Sequence, residues 1–127
     1  MQRFQLFAEH DDGHQPFLFF MDISEEDLEK LKRACRISAE ALEYGKTLIK
    51  HGERAIDVCD KVDEKIRSLG AQPAFPSQIS INHVAAHYCG DKDDELILEG
   101  VVKLDVGAHI DGFVGDNALT VDLTGEN

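Results

Sequence analysis

The stretch of residues 101–123 constrains the fold of this chain more strongly than any other part. It reads VVKLDVGAHIDGFVGDNALTVDL, in which apolar and polar residues alternate on both sides of Asp111-Gly112. Such alternation around an Asp-Gly pair is typical of a β-hairpin with a two-residue turn. With Asp111 and Gly112 as the turn residues, Gly107 on the first strand lies opposite Asp116 on the second.

The predicted register brings two carboxylates onto one face of the hairpin. Opposed residues on paired strands share a face, and side chains alternate between faces along a strand. Asp105 and Gly107 therefore point the same way as Asp116, so the two aspartates meet diagonally beside a glycine that leaves empty space. Hard divalent cations prefer oxygen ligands and need room for water and substrate. The pair is a candidate metal site, and the alternative is a solvated strand face.

Two amphipathic helices are predicted before the hairpin, each with one apolar face for packing on the sheet. Ser24 can cap the first helix, which is expected to run to about Lys50. The second is expected to begin near Glu53 and to end before Gly70, a residue suited to that position. The residues expected in the core are Leu28, Leu31, Cys35, Leu42 and Ile49 of the first helix, Ala55, Val58, Cys59, Val62, Ile66 and Leu69 of the second, and Val102, Leu104, Val106, Ala108, Phe113, Leu119 and Val121 of the hairpin.

Two further segments have their own patterns. Residues 1–21 are predicted to be a hairpin-like extension, with apolar strands meeting across Asp12-Gly13. His10 and His14 beside that turn could be considered metal ligands, although a solvated turn explains them more simply. Residues 71–80 contain prolines and are expected to be irregular or an edge, leading into a short strand.

Composition narrows the class of protein. At 127 residues the chain is one domain at most, and its net charge of −12 argues against nucleic acid and anionic membrane surfaces as partners. Three widely spaced cysteines argue against a disulfide framework and favour a reducing, cytoplasmic location. No apolar run approaches the length of a membrane span.

Two long segments of the chain resemble methionine aminopeptidases. The run KLDVGAHIDGFVGDNALTVDL is similar to the metal-binding hairpin of that family, and PAFPSQISINHVAAHY, residues 73–88, resembles the segment before it in the type II branch of archaea and eukaryotes. With the helices, the resemblance covers residues 22–123. The chain departs from the family's usual pattern at Cys89-Gly90 (a Thr-Pro-like pair), Val101 (an Asp) and Asn117 (a Thr).

The resemblance implies an α+β fold and a domain layout. The family's pita-bread (aminopeptidase/creatinase-like) fold is a duplication, in which two related halves enclose the metal site. Residues 22–127 would be the N-terminal half of this catalytic domain, with two helices packed on an antiparallel sheet, and residues 1–21 would be the extension. The open sheet face, which would meet the other half, is expected to be a large apolar patch.

The resemblance also implies the site residues. Of the family's five metal ligands, the two aspartates match Asp105 and Asp116, whereas a His and two Glu belong to the second half, which this chain lacks. The site would hold two divalent metal ions, with cobalt, manganese, iron and zinc as candidates. His87 matches the family's histidine that contacts substrate and assists catalysis; the residues alone favour a hydrogen-bonded packing role for it.

The implied function is that of a metal-dependent methionyl aminopeptidase, which removes the initiator methionine from nascent polypeptides. The substrate would be their N-terminal Met. As half of the catalytic domain, the chain is expected to be inactive alone and to associate with the missing C-terminal half or with a second copy of itself. The alternative is a non-catalytic binding module with the same pita-bread-like fold.

Overall fold

The computed structural model describes residues 2–8, 17–83 and 95–125. Within these ranges the chain is α+β, and two helices pack on an antiparallel sheet, as predicted. The elements in chain order are β1 (Gln2–Ala8), β2 (Phe17–Ile23), α1 (Glu25–Leu48), α2 (Ala55–Ser68), β3 (Gln72–Pro73), β4 (Gln78–Ile81), β5 (Val101–Ile110) and β6 (Phe113–Asp122).

The hairpin of β5 and β6 has the predicted register. The strands pair antiparallel along their whole length, and Gly107 lies opposite Asp116. Asp111 and Gly112 form the turn with φ angles of 51° and 86°. Positive φ at both central residues is what a type I′ hairpin turn requires, and an Asp-Gly pair adopts it readily. The local turn chemistry therefore sets which residues share a face of the hairpin.

Two short strands share the edge of β5 that β6 leaves open. β3 and β4 both pair antiparallel with β5, and β4 places Gln78 opposite Asp105. Residues 74–77, here called the arch, connect these two strands. The Ala74 N–H donates a hydrogen bond to the Gly107 carbonyl, with an N···O distance of 2.9 Å. The prediction of an edge segment containing proline is confirmed, since a residue without an N–H is tolerated at an edge.

The two helices have the predicted ends and cover the apolar face of the sheet. Ser24 caps α1, its Oγ accepting a hydrogen bond from the Asp27 N–H at 3.1 Å. Gly70 follows α2 with a φ of 94°, which suits glycine. In the part of the chain that the structure describes, neither helix is long and apolar enough to cross a membrane. The buried core is formed by Ile37, Ala41, Leu42, Ile49, Ala55, Val58, Cys59, Val62, Ile66, Ala71, Ile79, Leu98, Val102, Leu104, Val106 and Ala108.

The buried face of α1 differs from the prediction at one cysteine. Cys35 is exposed, whereas Ile37 and Ser38 are buried. The reason is a close approach between α1 and β6 at Gly115, where an added Cβ would lie 2.6 Å from the Cys35 Cα and 2.7 Å from the Ala34 carbonyl oxygen. With the helix backbone seated on a glycine, small residues face the sheet, and the Cys35 side chain points to solvent. Hydrophobicity alone did not distinguish these positions.

The N-terminal strands pair as predicted. β1 and β2 form a two-stranded antiparallel sheet in which Ala8 lies opposite Phe17. The predicted turn at Asp12-Gly13 lies outside the described residues, as do His10 and His14.

The contact at Gly115 generates the first prediction. Gly115→Ala is expected to destabilise the chain by about 1–3 kcal/mol, since the new methyl group meets helix backbone that cannot rotate away. Urea unfolding followed by circular dichroism measures this, with Thr120→Ala, at an exposed position of the same strand, as the matched control. Equal midpoints for the two variants would contradict the close packing of α1 on β6.

Candidate metal site

Asp105 and Asp116 lie on neighbouring strands and on the same face of the hairpin. Gly107 is opposite Asp116, and Asp105 is two residues before Gly107 on the same strand, so the two carboxylates are diagonal neighbours. Asp105 is half-buried and Asp116 is exposed. Both line a cavity of about 290 Å³ together with Phe75 and Gln78. The sequence prediction of a paired-carboxylate face is therefore confirmed in its geometry.

The space above Gly107 is filled, contrary to the prediction. The Phe75 ring lies on this glycine so closely that an added Cβ would collide with the ring's Cε1. A glycine at this position therefore serves to seat an aromatic ring beside the two carboxylates. The prediction was wrong because the ring comes from the arch, whose path over the edge of the sheet is not encoded in any alternation of residues.

Gln78 is a second site neighbour that the sequence prediction missed. It lies opposite Asp105 on β4 and reaches the same cavity. The sequence did predict a short strand at Ile79, and the observed strand β4 begins one residue earlier, at Gln78. Extending that strand by one residue would have placed Gln78 on the edge beside the candidate ligands.

A buried hydrogen-bond network supports the two aspartates from behind. Ser38 of α1 is fully buried; its hydroxyl donates to the Val106 carbonyl at 3.2 Å and accepts from the Asn117 Nδ2 at 3.0 Å. Val106 and Asn117 are opposite each other, and each is the chain neighbour of one aspartate. One serine thus links both strands to α1 at the level of the carboxylates. Asn117, noted as a departure from the family pattern, is the residue that makes this link.

The arch is held from the side of α2. The Ser77 N–H and hydroxyl both donate to the Oδ1 of Asp63, at 3.1 and 2.6 Å. Ser77 is buried, with 2% of its surface exposed. Burial raises the pKa of the Asp63 carboxyl above its usual value, and the two hydrogen bonds from Ser77 oppose that rise. Two arch residues therefore point in different directions, Phe75 onto the carboxylate face and Ser77 toward α2.

The open face of the sheet is not the large apolar patch that was expected, within the ranges that the structure describes. Lys103 and Thr120 are opposite each other on this face, next to the aspartates. Among residues 22–83 and 95–125, whose side-chain exposure the structure describes, the exposed large hydrophobic residues are Ile97 and Val114, and Val114 lies on this face. Alternation along β5 and β6 turns most of their apolar residues toward the helices. A partner on this face would meet mainly polar and small side chains.

The described residues hold only part of a metal-ligand set. They contain no group of three or more His, Cys, Asp or Glu side chains placed to hold a metal ion. The oxygen donors of Asp105 and Asp116 suit a hard divalent cation, and the cavity beside them provides room. The pair thus fits a divalent ion as an incomplete site. His87, the other predicted site residue, lies outside the described residues.

Residues 29–127 match the family model of Metallopeptidase family M24. The chain belongs to this family of metallopeptidases. Its sequence is 45% identical to the methionine aminopeptidase of Methanocaldococcus jannaschii over 101 residues, covering 78% of this chain and 34% of the relative. It is 48% identical to the methionine aminopeptidase of Archaeoglobus fulgidus over 107 residues, covering 83% of this chain and 36% of the relative. The resemblance found in the sequence is confirmed.

The fold is similar to that of a solved enzyme. The methionine aminopeptidase of Thermotoga maritima superposes with a TM-score of 0.71 at 31% identity, covering 80% of this chain and 44% of that chain. The predicted pita-bread fold class is confirmed. The chain spans about a third of the length of the two archaeal relatives.

The buried network behind the aspartates generates the second prediction. Ser38→Ala is expected to cost about 1–3 kcal/mol, because it leaves the Asn117 amide without its buried partner. The same substitution in an Asn117→Ala background should cost less, since a shared hydrogen bond is lost only once. Urea unfolding of the four proteins in this cycle measures the coupling. Strictly additive effects would show that the two side chains do not act together.

Proposed function

We propose that this chain forms the N-terminal half of the catalytic domain of a metal-dependent methionyl aminopeptidase, which removes the initiator methionine from nascent polypeptides. Residues 22–127 would constitute that half, and residues 1–21 would be an N-terminal extension. The observation that carries the proposal is the diagonal pair of Asp105 and Asp116 over a cavity lined by Phe75 and Gln78. Similarity to methionine aminopeptidases over most of the chain supports it.

The carboxylates are assigned as metal ligands. Asp105 would be a ligand of one divalent ion, and Asp116 would be a ligand of both ions. Cobalt, manganese, iron and zinc are the candidates. Such ions, when bound, lower the pKa of a coordinated water and polarise the scissile carbonyl. The chain's own contribution is to hold two oxygen ligands at a fixed spacing, which the β5–β6 register and the Ser38 link maintain.

The remaining site residues are assigned to the substrate. Phe75 offers an aromatic wall beside the carboxylates, and aromatic rings make favourable contacts with a thioether such as a methionine side chain. His87 is assigned to substrate contact and catalysis on the strength of its motif, INHVAAH at residues 81–87. The proposed substrate is accordingly the N-terminal Met of a new polypeptide.

The site requires a second polypeptide segment for completion. Open catalytic metal sites keep about three protein ligands per metal, and the two aspartates supply fewer than that. The missing ligands would come from the C-terminal half of the domain, or from a second copy of this chain, docked on the open face. That face carries Lys103 and Thr120, so the contact would be largely polar.

The proposed compartment is the cytoplasm. Cys35 and Cys59 are free thiols, which a reducing compartment maintains. Nascent polypeptides present their N-termini in the same compartment.

The ligand assignment generates the third prediction. The chain should bind Mn²⁺ loosely, and NMR line broadening should centre on residues 105–107 and 115–117. Asp116→Asn removes a proposed direct ligand and should weaken binding by about tenfold or more, since loss of even an outer-shell partner costs about that much. Glu64→Gln, which removes the same charge from the exposed surface of α2, is the matched control. Broadening centred on residues 9–14, which include His10 and His14, or on the acidic run DKDDE at residues 91–95 would contradict the assignment.

The need for completion generates the fourth prediction. The isolated chain should show no turnover of Met-initiated peptides with manganese or cobalt supplied, because its ligand set is incomplete. Turnover should appear when the C-terminal part of the Methanocaldococcus jannaschii relative is supplied in trans. Metal-dependent turnover by the chain alone, abolished in Asp116→Asn, would contradict an incomplete site.

Sedimentation at two salt concentrations tests whether a second copy of the chain is the completing partner. Self-association should be stronger at the higher salt concentration, since salt screens the repulsion between chains of charge −12.

A further inference from the structure

The arch is fixed at two points, and the Phe75 ring lies between them. At its start, the Ala74 N–H is bonded to the Gly107 carbonyl of β5. At its end, both donors of Ser77 are bonded to one oxygen of Asp63 on α2. The ring between these points lies on Gly107 and lines the carboxylate cavity. Any shift of the Ser77 end would therefore move the ring, or Gln78 directly after it, relative to Asp105.

Two opposing effects act on the Asp63 carboxylate: desolvation disfavours its charged form, and the two hydrogen bonds from Ser77 favour it. Burial penalises the charged form of Asp63, as its raised pKa indicates. Because folding raises this pKa, ionising Asp63 is less favourable in the folded chain than in the unfolded chain, and this group stabilises the fold less above its pKa than below it. A half-buried carboxylate whose ionisation folding disfavours, and which is bonded to the segment that forms one wall of a site, suggests a role at that site.

We propose that Asp63 is a positioning residue, which holds the arch so that Phe75 and Gln78 face the Asp105–Asp116 pair. It touches neither the carboxylates nor the cavity and acts through Ser77. The role of the arch as a wall of a metal and substrate site rests on the function proposed above. The positioning itself is a property of the metal-free chain and can be tested separately.

The test uses the full chain without metal and reads the position of the ring by NMR. An aromatic ring lying on Gly107 shifts the resonances of the Gly107 Hα protons. The Phe75→Leu variant, which has no ring at this position, gives the reference chemical shifts. Asp63→Ala is expected to move the Gly107 Hα resonances most of the way to that reference. Asp63→Asn, which keeps an acceptor oxygen, is expected to retain the wild-type shift. Asp60→Ala, one turn earlier on α2 and exposed, is the matched control.

Ser77→Ala keeps the test decisive if Asp63→Ala fails to fold. It removes only the hydroxyl bond and leaves the N–H bond to Asp63, so an intermediate shift is expected. A wild-type Gly107 shift in folded Asp63→Ala, or in Ser77→Ala when the former does not fold, would overturn the proposal. So would a displaced ring in Asp63→Asn, since that would assign the effect to charge and not to the hydrogen bonds.

A Mn²⁺ titration of the same variants separates this inference from the proposed function. If both hold, Asp63→Ala weakens Mn²⁺ binding by up to about tenfold, and Asp63→Asn does not. If wild-type chain binds no Mn²⁺ at the aspartate pair while the ring shift still follows Asp63, the proposed function fails and the positioning role stands. If Mn²⁺ affinity and the Gly107 Hα shifts are equal in all variants, the positioning role is contradicted and the proposed function is unaffected.

Discussion

The register of the β5–β6 hairpin is the constraint on which the rest of the structure depends. Side chains alternate along a strand, so a slip by one residue would exchange the two faces and send the aspartates into the core. The type I′ turn at Asp111-Gly112 prevents that slip. The same turn therefore places apolar residues under the helices and two carboxylates on the open face.

The helices pack on the sheet face opposite the aspartates, and α1 contacts the strands there through small residues. α1 rests on β6 at Gly115, where there is no room for a side chain. Ser38 then reaches the strands at the level of the aspartates through Val106 and Asn117. α2 contributes through Asp63, which holds the arch. Two helices thus stabilise two different walls of one cavity, and neither contributes a side chain to its lining.

What the sequence could predict follows from how local each feature is. The hairpin register, the Ser24 cap and the helix end at Gly70 depend on neighbouring residues, and all three were predicted. The Phe75 ring over Gly107 and the bond between Asp63 and Ser77 depend on how the arch crosses the sheet, which no periodicity reveals. The exposure of Cys35 and burial of Ser38 depend on a close helix–strand contact, where size overrides hydrophobicity. The metal roles of Asp105 and Asp116 stay predictions, because they concern ligands that the remainder of the domain would complete.

The central claim is that the register makes Asp105 and Asp116 two ligands of one metal site. Anomalous diffraction from crystals of the chain soaked in Mn²⁺ tests it most directly. The account predicts a peak within about 2.0–2.6 Å of carboxylate oxygens from both residues, the range for hard divalent cations, and no such peak in Asp116→Asn crystals. A peak elsewhere on the acidic surface, with none between the two aspartates at saturating Mn²⁺, would contradict it.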